Sequence, residues 1–194
     1  VECKCRHLEF EDDFYHLISN IIDLMGQKFD VISAVKLAIN NWYHFIGQDQ
    51  HELSFEEKIG VIGELYTLHE FLNNGRTGII QSWNGPLGAE KDFCINSIDL
   101  EVKTSCNKMK HTHKINNKNQ LRPSVDKLFL ISLSCDVVES KSINTIDLNF
   151  MIEKIMKRLK DNMSLYSEFL IRLQKVKINP NYLIESPSLM LKDP

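Results

Sequence analysis

Apolar residues at Phe14, Leu17, Ile18, Ile21, Ile22 and Met25 recur with a helical period and Gly26 follows them, which predicts a helix over 12–25. A second helix is expected over 31–46, capped by Asp30, with Val31, Ala34, Val35, Ala38, Trp42 and Phe45 on its inner side. After the polar linker from Gly47 to Glu52, Ser54-Phe55-Glu56-Glu57 has the form of a capping box. The helix it opens runs to Leu72 and stops at Asn73-Asn74-Gly75. Short β-type runs then appear at 78–83, 91–95, 98–105 and 127–135, bounded by Trp83-Asn84-Gly85-Pro86 and by Asn96-Ser97. Helical periodicity returns at 148–159 and 162–176. This order predicts an α/β (α+β) fold in which helices flank a small mixed sheet. We expect one domain: an N-terminal helical segment (1–50) packed on a core (51–135), and a C-terminal helical part (136–194).

Composition narrows the classes. With 43% hydrophobic and 25% charged residues in 194, the chain can bury a core and is not a disordered tail. It opens on Val1 without an initiator Met, as an excised fragment would. No apolar run approaches the length of a membrane span. Cys3, Cys5, Cys94, Cys106 and Cys135 form no CxxC pair, which predicts reduced thiols in a cytoplasmic protein. Cys3-Lys4-Cys5 lacks the second pair that a zinc site needs.

The net charge of −3 excludes coating of nucleic acid by bulk positive charge. Locally the balance reverses. Segment 103–127 holds Lys103, Lys108, Lys110, Lys114, Lys118, Arg122 and Lys127 against a single acid, Asp126. Such a stretch can hold phosphate beside an acidic site. The alternative is a solvated loop, and His111 and His113 within it read as loop residues rather than metal ligands. Glycine-rich phosphate loops are absent, so dinucleotide or ATP chemistry is not indicated.

The chemistry lies in a hairpin. Asn96-Ser97 suits a two-residue turn, and the register then opposes Ile95 to Ile98, Phe93 to Leu100 and Lys91 to Val102. One face carries Phe93, Ile95, Ile98, Leu100 and Val102, the other Asp92, Cys94, Asp99, Glu101 and Lys103. Asp92 falls opposite Glu101, an arrangement that repels unless a divalent cation lies between the carboxylates. Lys103, two residues on, can orient water or stabilise charge on phosphate. The alternative is a solvated face with a Glu101–Lys103 surface ion pair. In helix 54–72, Glu64 is the odd residue: its neighbours Gly60, Val61, Thr67 and Leu68 are uncharged, so its carboxylate needs another partner or solvent at the helix rim.

Gly63-Glu64-Leu65, Lys91-Asp92-Phe93 and Glu101-Val102-Lys103, in this order, resemble the PD-(D/E)XK nuclease superfamily, with its restriction-endonuclease-like fold. With Gly60-Val61-Ile62, Trp83-Asn84-Gly85-Pro86, Thr104 and Asn119-Gln120-Leu121, the likeness to an uncharacterised bacterial subgroup runs over residues 9–185. Lys91 stands where the superfamily pattern has Pro. The resemblance implies that Asp92 and Glu101 ligate Mg²⁺ (or Mn²⁺), with the Val102 carbonyl a further ligand. It also implies that Lys103 polarises water, Glu64 supports a second metal or the water network, and Gln120 orients the site. Lys108, Lys110, Lys114, Lys118 and Arg122 are the expected nucleic-acid contacts. The expected activity is metal-dependent DNA cleavage in a bacterial restriction or antiphage system, with a homodimer or other defence subunits as partners. The alternatives are a non-catalytic nuclease-like module binding nucleic acid or protein, an RNA-directed nuclease, and a helical interaction domain.

Overall fold

The structure, a computed structural model, describes residues 4–5, 11–26, 28–46, 53–106, 122–139, 142, 144–180 and 183–192. Helices α1 (Glu11–Gly26), α2 (Val31–Ile46) and α3 (Phe55–Asn73) precede a short helix α4 (Ile79–Ser82) and a 3₁₀ turn, Gly85–Leu87. Strands β1 (Phe93–Ile95), β2 (Ile98–Ser105), β3 (Lys127–Val138) and β4 (Thr145–Ile146) follow, then α5 (Leu148–Leu159), α6 (Met163–Lys175) and β5 (Ser188–Leu191). The five strands form one mixed sheet in the order β1-β2-β3-β5-β4, with β2 and β3 parallel and the other pairs antiparallel. This is an α+β fold consistent with a restriction-endonuclease-like core. Among the described residues no helix is long and apolar enough to cross a membrane.

Local chemistry sets the helix starts. Asp30 Oδ1 accepts from the backbone N–H groups of Ile32 and Ser33 at 3.0 and 3.1 Å. The capping box at α3 is complete, with Glu57 N–H donating to Ser54 Oγ and Ser54 N–H donating to Glu57 Oε2. Asp147 and Asn162 cap α5 and α6 in the same way. Helix α3 is buried on most of its circumference, because it packs between β2 on one side and α5 on the other.

The hairpin register is as expected: Phe93 pairs with Leu100, Cys94 with Asp99 and Ile95 with Ile98, and Asn96 takes φ 53° in the turn. Phe93, Leu100 and Val102 are buried on the core side. The opposite face is not solvated, since Asp99 and Glu101 are buried too.

Several expectations are corrected. Residues 79–82 are helical rather than extended. A strand would send Ile79 and Ile80 to opposite faces, whereas one helical turn lets Ile79, Ile80 and Trp83 all enter the core. The stretch 136–194 is not purely helical: β5 pairs with Cys135–Val138 of β3, and β4 pairs with β5. Ile22, Met25 and Val31 are exposed, because α1 buries Ile21 and Leu24, and α2 buries Ala34 and Ala38. Cys106 and Cys135 are not free thiols but a disulfide. The parallel register that pairs Ser105 with Ser134 makes them the next opposed positions, with Cα atoms 4.7 Å apart. That pair removes the thiol argument for a reducing compartment.

Gly63 sets the distance between α3 and the sheet. A Cβ there would sit 1.8 Å from Thr104 Oγ1 and 3.1 Å from Thr104 Cβ. Gly63→Ala is therefore expected to destabilise the fold by about 1–3 kcal/mol through overpacking. Thr104→Ala should recover part of that loss in urea titrations of the double variant. Wild-type stability in Gly63→Ala would show that the helix does not depend on this approach.

Candidate functional site

Glu64 reaches the sheet because the turn after Gly63 faces β2 and the Trp83–Pro86 segment. Its Oε2 accepts a 2.7 Å hydrogen bond from the indole Nε1 of Trp83, whose ring is fully buried and stacks on Phe169 at 6.0 Å. A buried indole N–H needs an acceptor, and here the acceptor is the candidate site itself. The chain after Trp83 is pinned to Asp92: the Asn84 and Gly85 N–H groups both donate to the Asp92 carbonyl, at 2.7 and 3.1 Å. From behind, Arg172 donates to the carbonyls of Trp83 and Gln81 while pairing with Glu168.

Asp92 lies one residue before β1. Its Oδ2 accepts the Val102 N–H at 2.7 Å, so a side chain supplies the rung that the backbone ladder no longer makes. In an extended strand a residue's N–H and C=O point to the same edge, so the Val102 carbonyl faces Asp92 as well. Glu101 is 2% exposed; Lys103 Nζ lies 2.8 Å from its Oε1. The second oxygen, Oε2, is buried and has no hydrogen-bond partner. The Glu101–Lys103 pair thus exists, but in a buried setting rather than on a solvated face.

The electrostatics record crowding. Burial, then the charge of Asp92, pushes the Glu64 carboxyl up to about 8, with Glu101 adding to the rise; the Trp83 hydrogen bond and Lys103 oppose it. Burial pushes Asp92 up to about 6, with Glu101 adding to the rise against the Val102 N–H, Lys103 and Lys91. Glu64, Asp92, Glu101 and Lys103 therefore occupy one electrostatic neighbourhood.

The residues fit a hard divalent cation by two observations. Glu101 Oε2 is an orphaned buried acceptor. Gly85 leaves open a space that a Cβ would fill, 2.5 Å from Glu64 Oε2 and 3.3 Å from Asp92 Oδ1. Among the described residues no three His, Cys, Asp or Glu side chains converge as a ready-made cage. A small cation such as Mg²⁺ binds through one or two carboxylates and keeps several waters, so it needs no such cage. Asp92, Glu101 and the Val102 carbonyl are the groups that could hold it.

Lys108, Lys110, Lys114, Lys118 and Gln120 lie outside the described residues, as do His111 and His113. Arg122 is exposed, in the bend before β3. Two residues later, Ser124 donates from its Oγ, at 2.6 Å, and from its N–H to Asp99, which is fully buried two residues before Glu101 on the same face of β2. Burial opposes the Asp99 charge, but the Ser124 bonds, Cys94 and Lys91 hold its carboxyl below the ordinary range. The end of the basic stretch is thereby tied to the strand that carries Glu101 and Lys103.

Sequence reasoning gave no site role to Trp83, Gly85, Asp99 or Arg172. Trp83-Asn84-Gly85-Pro86 reads as a turn and as part of the resemblance, and the need of a buried indole for an acceptor is the signal that could have placed Trp83 at the site. No curated protein and no solved structure matches the chain. A family model described as "Putative PD-(D/E)XK family member, (DUF4420)" matches residues 2–191. The carboxylates of Glu64 on α3 and of Asp92 and Glu101 at the β1–β2 hairpin, with Lys103 beside them, are thus framed by a match over nearly the whole chain, and the protein belongs to that PD-(D/E)XK family.

Proposed function

We propose that the protein is a divalent-cation-dependent nuclease that hydrolyses DNA phosphodiester bonds. The observation that carries this reading is the buried Glu101, whose Oε2 has no partner and whose Oε1 lies 2.8 Å from Lys103 Nζ, in the electrostatic neighbourhood of Asp92 and Glu64. Three carboxylates crowded where two are driven toward protonation are costly in a purely structural role. Mg²⁺, with Mn²⁺ as substitute, would offset that cost and supply Lewis-acid stabilisation of phosphate charge and a more acidic water.

The chain's own groups have separable tasks. Asp92 is held by the Val102 N–H through Oδ2, which leaves Oδ1 toward the space beside Gly85. Glu101 spends one oxygen on Lys103 and presents the other to the site. Lys103 fixes the attacking water or a phosphate oxygen and stabilises the charge that builds as P–O(water) forms and P–O3′ breaks. The products are a 5′-phosphate and a 3′-hydroxyl. Glu64, positioned by Trp83, supports the water network. The basic segment with Lys108, Lys110, Lys114, Lys118 and Arg122 supplies phosphate contacts, and a role in bacterial restriction or antiphage defence accords with DNA as substrate.

The raised carboxyls dictate a pH dependence. Glu64 and Asp92 keep protons in the folded state that the unfolded chain releases above about 4, so without cation the fold loses stability as pH rises toward 8. The melting temperature in EDTA should fall between pH 5 and 8, and Glu64→Gln should flatten that fall. Divalent-ion affinity should rise over the same interval as the protons leave. Equal pH slopes for wild type and Glu64→Gln would remove Glu64 from the cluster.

Lys103→Ala removes a cation and leaves both ligand carboxylates. Cleavage of plasmid DNA in saturating Mg²⁺ should fall about 10²–10³-fold, while calorimetric Mn²⁺ affinity is kept or rises. Asp92→Asn preserves an acceptor for the Val102 N–H but should abolish both cation binding and cleavage. Cleavage at the wild-type rate by Lys103→Ala would overturn the proposed role of Lys103. A wild type that binds DNA but never cuts it would favour a non-catalytic binding module.

A further inference from the structure

Beside Glu64 a cleft of about 420 Å³ opens between the first half of α3, the Gly85–Leu87 turn and the C-terminal end of α6. Gly60, Glu64, Gly85, Pro86, Lys175 and Lys177 line it, with Glu57, engaged in the α3 capping box, also on its wall. Two of these residues break the local rule for their position. Gly60 lies inside a helix, where glycine costs about 1 kcal/mol relative to Ala. A Cβ at Gly60 would meet nothing within 4 Å, so no close approach requires the glycine. What its absence of a side chain preserves is open floor in the cleft.

Lys177 breaks the opposite rule. α6 ends in a Schellman motif: Ile178 N–H donates to Leu173 O at 3.0 Å and Lys177 N–H to Gln174 O at 2.9 Å. Lys177 itself takes φ 59°, which favours glycine, as Lys28 takes φ 70° at the matching position after α1. A helix position that would gain from a side chain lacks one, while a cap position that would gain from glycine carries a cation. Both line the same cleft. The glycine and the two lysines give the cleft a bare floor and a cationic wall.

We propose that this cleft is a subsite for one nucleotide of the substrate strand, flanking the phosphate at the Glu64–Asp92–Glu101 site. Lys175 and Lys177 take its phosphate, and the sugar and base lie over the side-chain-free floor at Gly60 against Pro86. The volume lies in the range of small-ligand pockets, and a cationic wall beyond a carboxylate site is what a strand entering that site meets. This inference rests on the nuclease reading, since it takes its ligand from the neighbouring site.

The test pairs binding with stability. Anisotropy is measured with a fluorescein-labelled DNA hairpin bearing a single-stranded tail, in Ca²⁺, and cleavage of the same DNA is followed in Mn²⁺. Lys177→Gly should weaken binding about tenfold, the loss of one charged hydrogen bond, while its melting temperature rises as the strained cap relaxes. Gly60→Leu should weaken binding at least about tenfold by filling the floor, with melting at or above wild type. Lys175→Ala combined with Lys177→Ala should lower the slope of log K against log salt by about 0.7–0.9, the share of one phosphate. If all these variants bind like wild type, or wild type does not bind the hairpin, the subsite is overturned. In the first case a Lys103→Ala variant that fails to cut shows that the nuclease reading survives. If the variants lose binding but wild type cuts nothing, the subsite stands and the nuclease reading fails.

Discussion

Helix α3 can lie against β2 because residue 63 has no side chain: a Cβ there would fall on Thr104 Oγ1. That approach delivers the next residue, Glu64, to the edge where β1 begins and to the Trp83 indole. Without it the helix would stand off the sheet, and the Glu64 carboxylate would have water for company rather than Asp92. The same approach buries α3 against α5 on its far side, which explains a helix with little amphipathic character. Packing distance and site chemistry are thus one constraint, and a side chain added at residue 63 would tax both.

Around that contact the protein holds carboxylates that repel one another. Single, directed bonds keep each in place: Trp83 Nε1 on Glu64, the Val102 N–H on Asp92, Lys103 on Glu101. None of these neutralises the cluster, and the carboxyls of Glu64 and Asp92 are driven toward their protonated forms. Preorganisation of this kind costs stability in the protein itself. The donors come from a rigid support. Arg172 clamps the Trp83 segment from α6, and the Asn84 and Gly85 N–H groups hold the Asp92 backbone.

The cleft beside Glu64 opens next to this cluster. Gly60 and Lys177 each forgo a local gain, and each borders the same space. Ala at residue 60 would favour α3, and Gly at residue 177 would favour the end of α6.

Much was legible in the residues alone. The helices α1, α2, α3, α5 and α6 follow from apolar spacing and caps, which are local effects within a few residues. The hairpin register followed from Asn96-Ser97, because the period of two leaves only one pairing that keeps Phe93 and Leu100 on a common face. From that register Asp92, Glu101 and Lys103 could be placed on one face, and Glu64 stood out as a lone charge in an apolar helix. What the sequence left undecided is non-local. Whether residues 79–82 are helix or strand depended on which neighbours would take Ile79 and Ile80. The short strand β5 exists because β3 offers it an edge, and β4 because β5 does. The disulfide of Cys106 and Cys135 follows from a parallel register between strands far apart in the chain. The burial of Glu101, the Trp83 bond to Glu64 and the cleft at Lys177 likewise join residues distant along the chain. Such pairings depend on three-dimensional closure, which periodicity and capping, acting over one or two turns, cannot encode.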